Sequence, residues 1–308
     1  MRQKAFQIIG VIGVIISVVI FIKNPSFLTP DKLLVFLVFV FMIFKQAIEM
    51  LKRFLPFVAI LLVYESFRGI ADGLNSRVEY MWMPAVDRLL FGGTLPTTTL
   101  QNWWWMGQTN WYDFLFYLPY MLHFVLPIAL AVYVWKRIPS KYWQLVLSYV
   151  LVSFIGFFVF LGFPAAPPWM ASDLGYIEPI HRISSDVWWS LGVKDFPSFY
   201  NEISPNPVAA VPSLHAAYAT LFALFITYLF KSKWRFISWI YPALIYIGTV
   251  YLGEHYFIDE LLGAMLAIAV FYATPHIAKI LQHAAKKLQN KYRLRTPNKQ
   301  RMGYFVLF

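Results

Sequence analysis

Apolar stretches long enough to cross a bilayer recur along the whole chain, separated by short polar turns and two long connections. A spanning helix needs about 20 mostly apolar residues. Backbone exposed to lipid must satisfy its own hydrogen bonds, which makes helices the economical solution. The pattern predicts eight spans, at residues 6–22, 33–50, 54–67, 114–135, 142–163, 209–230, 236–253 and 256–280. The third is short, and the second carries Lys45 and Glu49 near its end. One long connection runs from 68 to 113, and a second, rich in Pro, Trp and Ser, from 164 to 208. The expected fold class is an all-α polytopic transmembrane bundle without internal repeats. No cleavage pattern follows the first apolar run, which reads as a retained span rather than a signal peptide.

Charge threads the chain the same way. Of the 26 Lys and Arg residues, 19 fall on alternate connections and the C-terminal tail, from Arg2 and Lys4 through Lys136, Arg137 and Lys231 to Arg301. The other seven are Lys23, Lys32, Arg68, Arg77, Arg88, Arg182 and Lys194. Positive connections stay in the cytoplasm, so both termini should be cytoplasmic and the long connections should face outward or into a lumen. The membrane would be the plasma membrane in a bacterium. The acids, Glu49 excepted, lie on the outer side. The net charge of +11 is then topology and attraction to anionic lipid head groups, not nucleic-acid binding. The organisation expected is two N-terminal spans over 1–53, a six-span core over 54–284 and a basic cytoplasmic tail over 285–308.

The chain is 59% hydrophobic and only 13% charged, against roughly a quarter charged for soluble domains. It has no cysteine, which excludes disulfides, thiol nucleophiles and cysteine zinc sites. Trp103, Trp104, Trp105 and Trp111, with Trp188 and Trp189 further on, read as interfacial anchors. The stretch 80–112 has the character of an amphipathic segment lying on the membrane.

Two short polar segments interrupt this apolar chain. Val211-Pro212-Ser213-Leu214-His215 opens the sixth span, and Gly253-Glu254-His255-Tyr256-Phe257-Ile258-Asp259 opens the eighth. The threading puts both at the outer ends of their helices, so they can meet at one depth. Ionisable groups at the edge of apolar helices are costly and usually functional. His255 and Asp259, four residues apart, share a helix face. A carboxylate there takes the proton of one imidazole nitrogen and leaves the other as nucleophile or base. His215, from another helix, suits a general acid. Ser213 suits a helix cap, and free N–H groups at a helix start suit a phosphate.

At these residues the chain resembles the type 2 phosphatidic acid phosphatase superfamily, and most closely its inositolphosphotransferase branch, which includes inositol phosphorylceramide synthase. The likeness covers roughly 54–280, and Phe163-Pro164-Ala165-Ala166-Pro167-Pro168-Trp169, Tyr64–Arg68 and His123 add to it. The resemblance implies a phosphohistidine on His255, oriented by Asp259, with His215 protonating the leaving oxygen. It implies lipid substrates and neither metal nor nucleotide cofactor. The chain departs from the superfamily pattern at three places. Thr249, preceded by Gly248, stands where an arginine is usual, Leu214 replaces a glycine, and no Lys or Arg lies between Lys141 and Arg182. The branch named shares this lack of a cationic clamp. Arg68, with Tyr64 on the same face, is the expected phosphate partner, and Arg182 the reserve. A lipid phosphate phosphatase, a lipid transporter and a silent scaffold are the competing readings. His181, Glu254, His276 and His283 read as solvated groups, and His123 as either packing or support for the site.

Overall fold

The computed structural model describes residues 2–23, 30–55, 60, 77–123, 125–192 and 207–295. Most of the span expected at 54–67, including Tyr64 and Arg68, lies outside the described residues, as does the tail beyond 295.

Helices α1 (Arg2–Lys23) and α2 (Pro30–Ile43) form an N-terminal pair in which Gly10 and Gly13 bring α1 against Phe39. The span expected over 33–50 is interrupted. Lys45 adopts a φ of 60°, which a helix cannot continue through, and helical backbone resumes over 47–55. In the first long connection lie two short helices, α3 (Trp82–Leu90) and α4 (Pro96–Trp104). The core follows with α5 (Trp111–Met121), α6 (Val125–Arg137) and α7 (Pro139–Gly162). The second long connection carries α8 (Pro168–Asp173) and α9 (Ile183–Ser190). Next come α10 (Leu214–Leu229), a 3₁₀ turn at Lys233–Trp239, α11 (Ile240–Tyr251) and α12 (Phe257–Arg295). Helices α4, α7 and α8 begin with proline, where the missing N–H costs no intrahelical bond. Helix α5 begins with an Asn110/Asp113 capping box.

Among the described residues, three helices are long and apolar enough to cross a membrane: α1, α7 and the Phe257–Ala284 part of α12. Helices α5 and α6, bent by 48° at their junction, count as a fourth when taken together as one broken span. Helix α10 is apolar but 16 residues long, and α11 is 12. These are shorter than the expected 209–230 and 236–253 for a physical reason. The backbone of 208–213 bonds sideways, with Ala165 N–H to Val208 O at 2.7 Å, Ala210 N–H to Ala165 O at 3.2 Å and Ser213 N–H to Asp259 O at 3.0 Å. Residues 233–239 coil as 3₁₀. Helix α12 passes without interruption through the 284/285 boundary drawn between core and tail.

Buried side chains from α2, 47–55, α6, α7, α10 and α12 form the main apolar core, including Met50, Trp135, Tyr142, Tyr149, Leu221 and Phe225. A second, aromatic cluster joins α5, α9 and α11 through Tyr117, Trp188 and Tyr251. Trp188 is 1% exposed and belongs to this core rather than to an interfacial belt. Trp103, Trp111 and Trp189 are exposed as anchoring requires. A third cluster, with Met83, Leu95, Ile180, Val211 and Tyr256, underlies the two long connections. There Glu79 N–H donates to Pro164 O at 2.8 Å and Ala166 N–H to Glu79 O at 3.0 Å. Three chain segments, near 79, 165 and 209, are thereby stitched into one cap over the ends of α10 and α12.

The approach of α10 and α12 is set by Gly263. A Cβ there would lie 2.2 Å from the Ser213 carbonyl oxygen and 3.1 Å from the Ala216 Cβ. Since the blocking atom is backbone, a methyl group forces the helices apart. Gly263→Ala should lower the melting temperature in detergent, at a cost of about 1–3 kcal/mol typical of overpacking, and should reduce turnover as well. An unchanged melting curve would show that this contact does not fix the helix pair.

Candidate active site

The two polar segments meet. Ser213, buried and at extended φ and ψ, caps α10 by accepting the Ala216 N–H at 3.2 Å, which starts the helix one residue before His215. From the other side, α11 ends at Tyr251 and the chain turns through Gly253, whose φ of 83° and 2.8 Å Cβ clearance to the His181 carbonyl admit only glycine. The N–H groups of Glu254 and His255 both point back to Thr249 O, at 2.9 and 3.3 Å. This fixes the turn, and α12 begins two residues later.

His215 Nδ1 and His255 Nε2 are 3.1 Å apart. His255 Nδ1 faces Asp259 Oδ2 at 3.4 Å, and the same oxygen accepts the Tyr256 N–H at 2.9 Å. Asp259 is fully buried. With Asp259 Oδ2 accepting a hydrogen bond from the Nδ1–H of His255, the Nε2 lone pair of His255 is directed at His215. Burial alone would depress the His255 pKa. The hydrogen bond to Asp259 and the negative charges of Glu260, Asp259 and Glu254 outweigh it and hold His255 above the ordinary imidazole value. His215 is held between two rings. Tyr120 stacks on it with centroids 4.5 Å apart, and the edge of His123 meets it at 4.5 Å. His123 is oriented in turn by its Nδ1 contact to Tyr120 O at 2.7 Å. Between packing and support, His123 therefore sits against the site itself.

Glu254 is corrected from a solvated group to a buried one, 5% exposed. Arg182 bonds it through both carboxylate oxygens, Nε to Oε1 at 2.9 Å and an Nη to Oε2 at 3.3 Å, and Ser184 Oγ donates to Oε1. Burial would raise the Glu254 pKa, but the Arg182 charge and hydrogen bonds, with Ser184, hold it below the usual carboxylate range. The Arg182 guanidinium also lies 4.0 Å over the Trp169 ring. Arg182 thus stands next to the loop that bears His255, one residue from it through its partner Glu254. His181 is exposed as expected but paired with Asp186, while His276 and His283 are exposed.

The departures from the superfamily pattern are accommodated locally. Leu214 packs where Gly156 of α7 leaves room, its Cδ2 only 2.8 Å from where a Cβ would stand. Thr249, in place of an arginine, is buried with its hydroxyl 2.8 Å from the Glu260 carboxyl.

One residue of the site carries no sequence motif. Asp87 of α3 is fully buried and accepts the N–H groups of Phe257 at 2.8 Å and Ile258 at 3.0 Å, the first residues of α12. It caps the helix that bears Asp259 from 170 residues away in sequence. Burial pushes its pKa up to about 6 against the opposing effect of those two N–H groups. The only signal was a lone acid among apolar residues in α3.

A family model described as the PAP2 superfamily matches residues 83–273. An inositol phosphorylceramide synthase of Candida albicans is 26% identical over 230 residues, 72% of this chain and 47% of the relative. A phosphoinositol dihydroceramide synthase of Bacteroides thetaiotaomicron is 36% identical over 141 residues, 43% of this chain and 45% of the relative. The inositol phosphorylceramide synthase catalytic subunit of Schizosaccharomyces pombe is 25% identical over 236 residues, 71% and 53% of the two chains. The chain spans about half the length of these curated relatives. No solved structure matches it.

Replacing Asp87 tests whether α12 needs its distant cap. Hydrogen bonds to a charged group contribute roughly 1.5–3 kcal/mol, so Asp87→Ala should destabilise the protein by about 2 kcal/mol or more and lower turnover at least tenfold. Asp87→Asn, which keeps one acceptor oxygen, should fall between. Thermal unfolding in detergent and turnover at saturating substrate measure the two effects. Full activity in Asp87→Ala would remove Asp87 from the account.

Proposed function

The chain belongs to the PAP2 superfamily, and from that premise we propose that it is a membrane phosphotransferase moving a phosphoinositol-type head group between lipids through His255. One observation carries the reading: an Asp259–His255–His215 relay, buried at Asp259 and His255, whose two imidazole nitrogens face each other at 3.1 Å.

In the first step His255 Nε2 attacks the phosphorus of the donor lipid. A P–N bond forms, the P–O bond to the lipid alkoxide breaks, and His215 delivers its proton to that oxygen. The phosphorylated head group stays on His255. In the second step the hydroxyl of an acceptor lipid attacks phosphorus, His215 takes the hydroxyl proton, and the P–N bond breaks. Protons balance over the cycle. Asp259 holds the Nδ1 proton and offsets the positive charge that develops on the ring. A phosphoryl group entering between the imidazoles replaces their mutual hydrogen bond with bonds to its own oxygens. Phosphoryl transfer relies on electrostatic stabilisation. Among the described cations Arg182 is tied to the loop bearing His255 through Glu254, and Arg68 with Tyr64 remains the other proposed contributor. Ser213 acts through the helix start it caps, where N–H groups favour an anion. The relatives, an inositol phosphorylceramide synthase and a phosphoinositol dihydroceramide synthase, support phosphoinositol as the group moved and a ceramide-type lipid as acceptor. The protein is integral to the membrane. The charge distribution supports cytoplasmic termini and an outward or lumenal site.

The direct test uses purified protein in detergent with phosphatidylinositol labelled in its head group, with and without ceramide or dihydroceramide. Label should appear on the sphingolipid only when acceptor is present, and His255→Ala should abolish it. Release of free inositol phosphate with no labelled sphingolipid, regardless of acceptor, would make water the acceptor and the chain a phosphodiester hydrolase instead.

The pH dependence has a definite sign. His255 must be neutral to attack, and its pKa is raised. The single-turnover rate should therefore fall as pH drops through a value above the roughly 6.5 of a free imidazole. Glu254→Gln removes one of the negative charges that raise it, so the acid limb should move to lower pH. A shift the other way would contradict the charge arrangement.

His215→Ala should slow donors with poor alkoxide leaving groups far more than nitrophenyl esters, by an order of magnitude or more. Equal losses on both would remove the general-acid role.

A further inference from the structure

A buried acid stands behind the relay and takes no step in the mechanism above. Glu260 is on the first turn of α12, next to Asp259, and is 1% exposed. Its Oε1 is 2.8 Å from the Thr249 hydroxyl, and that hydroxyl is also 2.8 Å from Ile245 O. A hydroxyl has one proton for these two acceptors. With Glu260 ionised, the Thr249 proton goes to the carboxylate. With Glu260 neutral, the acid donates to Thr249, whose proton turns to Ile245 O. The contact survives both charge states, so Glu260 can change charge without disturbing the packing around it.

Thr249 joins this carboxyl to His255. Its carbonyl oxygen receives the N–H groups of Glu254 and His255 at 2.9 and 3.3 Å. The first turn of α12 and the loop bearing His255 are therefore both held at Thr249, one through its side chain and the other through its backbone. Charge couples them as well. The negative charge of Glu260 favours the cationic form of His255, and a protonated His255 is the positive charge that acts on Glu260. Among the described residues no Lys or Arg pairs with Glu260, and its second oxygen, Oε2, makes no hydrogen bond. The Ser213 hydroxyl lies close to the carboxyl. A buried carboxylate without a counter-charge is costly, and a cationic His255 supplies that charge.

The other titratable groups around the two are already engaged. Asp259 bonds His255 and the Tyr256 N–H. Glu254 is paired with Arg182 of α9. The Tyr246 hydroxyl of α11 meets Thr220 at 2.5 Å, His215 of α10 faces His255, and Asp87 of α3 holds the N–H groups of Phe257 and Ile258. His255 is cationic at one stage of the reaction, when phosphorus is bonded to Nε2 and Nδ1 keeps its proton. We propose that Glu260 is a positioning residue for the transfer, a buried counter-charge that steadies the loop through Thr249 and stabilises the cationic ring of phosphorylated His255. This rests on the phosphotransferase reading and deepens it by a residue outside the relay.

Glu260→Gln keeps the shape and a hydrogen bond to Thr249 but carries no charge. Its effect is read in the intact protein from single-turnover rates against pH with labelled phosphatidylinositol. A second reading is the fraction of protein labelled at equilibrium with added diacylglycerol and no acceptor. The acid limb should move to lower pH by about half a unit, a factor of roughly three in the balance between cationic and neutral ring. The labelled fraction should fall by a similar factor. Thr249→Val removes the hydroxyl that stabilises the carboxylate and should move the limb the same way, while Thr249→Ser should leave it in place. A purely structural role would lower the melting temperature and leave the limb where it is. An unmoved limb with unchanged labelling in Glu260→Gln, or a limb displaced to higher pH, would overturn the proposal and leave the transferase reading intact. Should Glu260→Gln fail to fold, Thr249→Val decides, and a limb at the wild-type position overturns the proposal. A wild-type protein that never carries label on His255 would overturn both.

Discussion

Two helix starts must arrive at one point for this site to exist. The starts of α10 and α12 are pressed together closely enough that Gly263 touches the Ser213 carbonyl and the Ser213 N–H bonds Asp259 O. Neither contact is itself catalytic. Together they put the first turn of α10, with His215, opposite the loop that ends in His255. The relay from Asp259 through His255 to His215 then follows from ordinary side-chain geometry. An ion pair or imidazole placed at the edge of a lipid-facing bundle is expensive unless it is enclosed and bonded. Here enclosure comes from Tyr120 and His123 on one side and from the outer cap on the other.

That cap, built from the two long connections, orients the residues of the proposed site. Short helices and extended segments from two long connections interlock near residues 79, 165 and 209. From this platform Asp87 holds the start of α12, Gln101 holds the end of α11, and Arg182 with Ser184 holds Glu254. Residues far apart in the chain thus fix a loop of five. The phosphoryl transfer we propose would gain more from fixed dipoles and charges than from added flexibility, and this arrangement would supply them without the arginines usual in the superfamily. Arg182 occupies its place because Glu254 is buried with it, so the two side chains belong to one device.

Much of this was legible in the sequence because it rests on local rules. Apolar run lengths gave an all-α membrane protein, and the His255/Asp259 spacing and the Pro-Ser-Leu-His segment gave the three relay residues. The weaker expectations failed where tertiary contacts override local pattern. The 209–213 segment is apolar enough to read as helix, but its backbone bonds neighbouring connections. Glu254 reads as a solvated acid until Arg182, 72 residues away, is found against it. Asp87 shows locally only as a lone acid in α3, and that does not reveal its role, since its partners are backbone N–H groups of a distant helix. Trp188 illustrates the same limit, because an indole suits an interface and a core equally well. Tyr64 and Arg68 lie outside the described residues, so their part in the site is carried by the resemblance alone.

The central claim is that the head group rests covalently on His255 between the two half-reactions. Rapid quenching of the protein with labelled phosphatidylinositol in the absence of acceptor, followed by mass spectrometry of the peptide spanning residue 255, tests this most directly. The account predicts label on the His255 imidazole, stable in alkali, lost in acid and discharged by added ceramide. Turnover that proceeds at full rate with no label ever trapped on His255, or label found at another residue, would contradict it.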